Sequence, residues 1–110
     1  MPGKLPGRVG DSPIVGCGAY ADNESAGVSA TGWGEYLLRT VTSKKVCDGV
    51  SNGLHPAEAT SEAIRHLVRR MNGLGGLIAV DGKGRIRYAF NTPHMAFAYI
   101  DAEGRTDAFV

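Results

Sequence analysis

The stretch SATGWGEYLLR, Ser29–Arg39, decides the fold, because the periodicity of the chain changes inside it. Ala26–Ala30 is a run of small residues that reads as a strand and lets another backbone or a ligand come close. From Glu35 onward, Leu37, Leu38, Val41 and Lys45 recur at helical spacing. Thr31-Gly32-Trp33-Gly34 joins the two, and Glu35 stands where a helix opens and its dipole favours a carboxylate. A helix N-terminus leaves backbone N–H groups unpaired, and glycines let a ligand approach them. The turn thus offers a candidate oxyanion hole, with the Thr31 hydroxyl and the Gly32 N–H as donors. The alternative is a tight strand-to-helix turn that needs glycine for backbone reasons alone.

Working outward, Asp22-Asn23 supplies turn chemistry between AYADNES and AGVSATG, which predicts two paired strands. The helix from Glu35 ends near Asn52-Gly53. Pro56 suits the first turn of a second helix, whose stripe Thr60, Ala63, Ile64, Leu67, Val68 and Met71 lies opposite a charged face; Asn72-Gly73 stops it. Gly76–Asp81 is a short apolar run and predicts a buried strand. Alternation predicts a strand over Arg85–Asn91, with two more over Met95–Asp101 and Thr106–Val110. Strands segregated from helices in this way give an α+β class, mostly antiparallel, with two helices on one face, as one domain over residues 1–110 without repeat or linker.

The 110 residues carry a formal charge of +1 with dispersed Lys and Arg, which argues against a nucleic-acid partner. No apolar run reaches the length of a membrane span and no signal peptide precedes the domain, so the cytoplasm is the expected location. Cys17 and Cys47 read as reduced, buried residues, with a disulfide as the alternative. His55, His66 and His94 read as surface or packing residues.

Residues 1–18 hold three prolines and five glycines, a composition that forbids a helix and predicts an ordered loop. Within it lies GRVGDSP, Gly7–Pro13. Arg8 presents a planar fork that matches a carboxylate, and Asp11 can accept hydrogen bonds from an ammonium group. Together they would hold the two ends of a free amino acid. The alternative is a local Arg8–Asp11 ion pair that stiffens the loop.

GRVGDSP, a small-residue hairpin, TGWGE, two helices, GLGGLIAVD and FNTPHM follow one another in an order that resembles the β-subunit of the isoaspartyl peptidase and plant-type L-asparaginase family over essentially the whole chain. These are N-terminal-nucleophile amidohydrolases with an αββα sandwich. The resemblance implies that Arg8 clamps the substrate α-carboxylate, Asp11 and the Gly34 backbone take its α-ammonium, and Thr31 and Gly32 stabilise the tetrahedral oxyanion. It implies no metal and no cofactor. The substrate would be L-asparagine or a β-aspartyl dipeptide, with L-aspartate released through an acyl-enzyme.

In that family a threonine freed at the start of the β-subunit supplies both the nucleophilic hydroxyl and, through its α-amine, the base. Met1-Pro2-Gly3 stands where the approach to the loop should be, so the nucleophile, its two strands and the α-subunit are expected to be absent from this chain. A sandwich lacking central strands exposes edges and apolar faces, which predicts a homo-oligomer or association with a complementing chain. Three readings follow: the substrate-binding half of an amidohydrolase, a non-catalytic module binding aspartate or asparagine, or an inert structural fragment.

Overall fold

The computed structural model describes residues 3–110. Met1 and Pro2, read above as standing where the approach to the loop should be, lie outside them. After the N-terminal loop come strands β1 (Ala19–Ala21) and β2 (Ala26–Gly32), helices α1 (Gly34–Thr40), α2 (Thr42–Ser51) and α3 (Pro56–Met71), then β3 (Gly75–Asp81), β4 (Ile86–Phe90), β5 (Phe97–Ile100) and β6 (Thr106–Phe109). The first four strands form one antiparallel sheet in the order β1-β2-β3-β4, and β5 and β6 form a separate two-stranded hairpin.

Alternation sets the faces of the sheet. On β2, Ala26, Val28 and Ala30 are buried while Gly27, Ser29 and Thr31 are exposed. On β3, Leu77 and Ala79 join the buried side. All three helical segments cover this face, and Leu37, Val46, Cys47, Ala63 and Leu67 pack against it. The small strand residues let the helices sit close, and side chains such as Leu37 and Leu67 each contribute roughly 1.5–3 kcal/mol by leaving water.

Two expectations change. The helix from Glu35 is broken at Val41, which adopts a left-handed conformation (φ 49°) and separates α1 from α2 within the expected helical layer. The strand from Gly76, expected to be buried, is buried on one face only: Ile78 and Val80 are 37% and 45% exposed. Its apolar run predicts cover on both faces, and only one is covered by helices. The described residues form one four-stranded sheet and a separate two-stranded one, which is compatible with the partial sandwich expected.

The other boundaries follow the local chemistry. His55 caps α3 by accepting the Ala57 N–H at 3.0 Å, Pro56 follows at the first helical position, and Asn72 closes the helix with a left-handed φ of 49°. Asp81 and Asp101 build matching hairpin turns. In each, one carboxylate oxygen accepts two backbone N–H groups and the other takes the Nε of the arginine four residues on, at 2.7 Å for Arg85 and 2.8 Å for Arg105. Phe97 and Phe109 of the separate hairpin pack on Tyr88 of β4.

Candidate functional site

The break at Val41 helps to place the loop. It exposes the first turn of α2, whose N–H groups lack helical partners. The Lys44 N–H donates to the Gly16 carbonyl at 2.8 Å, and Ser43 donates to the Cys17 carbonyl through its N–H at 3.3 Å and its hydroxyl at 2.7 Å. The Ala30 N–H of β2 donates to the Gly18 carbonyl at 2.8 Å. The loop is therefore fixed to both the helix layer and the sheet.

This anchoring brings the sequence-predicted residues together. Arg8, Asp11, Thr31, Gly32 and Gly34 line one recess of about 40 Å³, with Lys4, Gly10 and Ser12 beside them. Asp11 is buried, and its Oδ2 has no hydrogen-bond partner among the described residues. Burial pushes its carboxyl above the ordinary carboxylate range, against the opposing pull of its own backbone N–H and of Arg8. A buried polar oxygen without a partner is costly, and an ammonium donor relieves that cost.

Glycine at position 34 suits this close approach: a Cβ there would lie 3.0 Å from both the N and the Oδ1 of Asp11, tighter than an ordinary contact. Gly32 has φ 142°, and a Cβ on it would lie 2.6 Å from the Leu74 carbonyl oxygen. On that side the Trp33 N–H donates to Leu74 O at 3.2 Å. Asn91 clamps the same turn, accepting the Gly75 N–H through Oδ1 and donating through Nδ2 to Gly73 O, each at 2.8 Å.

Arg8 does not pair with Asp11 as the loop-stiffening alternative supposed. Its guanidinium is ion-paired with Glu35 in the first turn of α1. The hydrogen bond from Arg8 holds the Glu35 carboxyl below its usual range. The partnership spans 27 residues, so no local spacing signals it. Asn91 was missed for the same reason. Cys17 and Cys47 are buried and free. Among the described residues no three His, Cys, Asp or Glu converge to hold a metal ion, and no helix is long and apolar enough to cross a membrane.

An antiparallel sheet backed by helices, with charged groups gathered beside a strand-to-helix turn, defines an α+β protein with a small polar recess. The chain belongs to the asparaginase family, whose family model (Asparaginase_2) matches residues 1–110. It is 41% identical over 98 residues to an isoaspartyl peptidase/L-asparaginase of Danio rerio, covering 89% of this chain and 32% of that protein. It is 43% identical over 100 residues to an isoaspartyl peptidase of Escherichia coli, covering 90% and 31%. A plant-type L-asparaginase of Pyrococcus abyssi is 44% identical over 99 residues, covering 88% and 32%. The chain thus spans about a third of the length of these relatives.

Proposed function

We propose that these residues form the substrate-binding and oxyanion half of an amidohydrolase that releases L-aspartate from L-asparagine or a β-aspartyl dipeptide. The observation that carries this reading is the convergence of Arg8, Asp11, Thr31, Gly32 and Gly34 on one recess. Arg8 would exchange Glu35 for the substrate α-carboxylate. The partnerless oxygen of Asp11 would receive the α-ammonium, with the Gly34 backbone beside it. The Thr31 hydroxyl and the Gly32 N–H would take up the charge developing on the amide oxygen. The names of the relatives, isoaspartyl peptidase and L-asparaginase, support the same substrates.

The nucleophile is proposed to be a threonine outside these 110 residues, on upstream sequence or on another chain. Its hydroxyl would attack the amide carbon, and the proton would pass through its α-amine to the departing nitrogen. Water would then cleave the ester and release aspartate. In this reading the chain is a single domain, the β-subunit-like portion of an αββα sandwich. The uncharged open side of the sheet, including Ser29, Ile78 and Val80, is where a complementing chain or a second copy would pack.

Calorimetric titration with L-aspartate tests the reading. Binding to the unaltered chain that is lost in Arg8→Ala and in Asp11→Asn is the expected result. Binding that survives both substitutions would overturn it.

A further inference from the structure

The Gly32 N–H cannot take its direction from its own residue. At φ 142° Gly32 holds a backbone that only glycine adopts readily, and a glycine has many others open to it. What selects this one is the neighbouring strand. Gly32 pairs in register with Gly75, and a Cβ on Gly32 would lie 2.6 Å from the Gly75 Cα and from the Leu74 carbonyl oxygen. The next N–H along, that of Trp33, donates to the same Leu74 oxygen. Yet this wall is itself poor in side chains. Asn72–Gly76 holds three glycines in five residues, so it has little stiffness of its own.

Asn91, just after β4, supplies what the segment lacks. Its backbone N–H donates to the Gly75 carbonyl at 3.1 Å, its Oδ1 accepts the Gly75 N–H and its Nδ2 donates to the Gly73 carbonyl. One planar carboxamide thus satisfies a donor and an acceptor on either side of Leu74. A carboxylate here would have no donor for Gly73, and an alanine would leave both groups without this partner. Thr31 and Gly32 line the recess and Asn91 does not, so it acts at one remove. We infer that Asn91 is the positioning residue of the proposed oxyanion site: its carboxamide holds Gly73–Gly75, and that segment aims the Gly32 N–H at the amide oxygen of the substrate. This rests on the reading of the recess given above. Misplacing a group at a reacting centre by about 1 Å costs up to about a hundredfold in rate.

Two ligands separate positioning from folding. L-Aspartate carries a β-carboxylate that reaches Thr31 and Gly32 in this reading, whereas L-alanine keeps both α-groups and lacks it. Amide NMR titrations with each give the affinity that the oxyanion site adds. The unaltered chain is expected to bind L-aspartate about tenfold more tightly than L-alanine. L-Aspartate alone is expected to shift the amides of Gly32, Gly73 and Gly75 together with the Asn91 carboxamide. Asn91→Ala and Asn91→Asp are each expected to cut the aspartate-over-alanine ratio about fivefold, with L-alanine affinity kept within about twofold. Val46 is fully buried on α2, so Val46→Ala lowers stability away from the segment and is expected to leave the ratio unchanged. A ratio unchanged in the Asn91 variants, an equal drop in Val46→Ala, or aspartate binding without shifts at Gly73, Gly75 and Asn91 would overturn this inference alone. Failure of the unaltered chain to bind either ligand would overturn the reading of the recess, and this inference with it.

Discussion

Arg8 is ion-paired with Glu35 and not with Asp11, although Asp11 is only three residues away. Glu35 is largely exposed, with 61% of its side chain accessible. Exposed ion pairs contribute little and exchange readily. In the proposed reading Glu35 holds the guanidinium as a replaceable carboxylate, and a substrate carboxylate would compete with it.

It follows that Glu35→Gln frees Arg8. Aspartate affinity in that variant is expected to rise severalfold, measured by calorimetry at low salt. An unchanged or weaker affinity would show that Glu35 does not compete for the site.

Asp11 separates stability from binding. Its carboxyl is raised by burial, so the folded chain favours the protonated form. That preference stabilises fully below the unfolded value of about 3.9 and is lost as pH rises through the raised folded value. Asp11→Asn removes the loss. Its Tm is expected to exceed that of the unaltered chain by a few degrees at about pH 7, with the two converging near about pH 3, while aspartate binding disappears. A variant less stable at neutral pH would contradict the cost assigned to this carboxylate.

Much of this was legible in the sequence, for local reasons. The α3 boundaries follow from Pro56 and Asn72, and the hairpins from their turn residues. GRVGDSP and TGWGE, some twenty residues apart, each leave a purely structural alternative open, and only the family resemblance joins them; both line one recess. What could not be read depends on distant contacts. Nothing around Val41 marks a helix break, since no glycine or proline stands there. The break is held by long-range bonds from Ser43 and Lys44 to Cys17 and Gly16. Nor does the apolar run of β3 reveal that Ile78 and Val80, on the face away from the helices, stay partly exposed.

Val41 itself is strained. A left-handed backbone costs a residue with a Cβ roughly 1–2 kcal/mol, and a β-branched one no less. Val41→Gly relieves this and gives back part of the gain as chain entropy. A net stabilisation of about 0.5–1 kcal/mol is expected by urea denaturation. A loss of stability would place Val41 among residues held by packing, against its 43% exposure.

Gly34→Ala tests the seating of α1 against Asp11. The new Cβ, 3.0 Å from the Asp11 backbone N, must push the loop away. A destabilisation of about 1–3 kcal/mol by urea denaturation is expected, together with loss of aspartate binding. Retention of both would mean that the loop yields without consequence and that its closeness to α1 is incidental.

The most direct measurement is a two-dimensional amide NMR titration of the chain with L-aspartate. The account predicts shifts concentrated in two segments far apart in sequence, Arg8–Ser12 and Thr31–Glu35, with little change along the groove between α2 and α3, which is lined by Lys45, Asp48, Glu62 and His66. Shifts confined to one segment, or centred on that groove, would contradict the claim that the two segments form one site for a free amino acid.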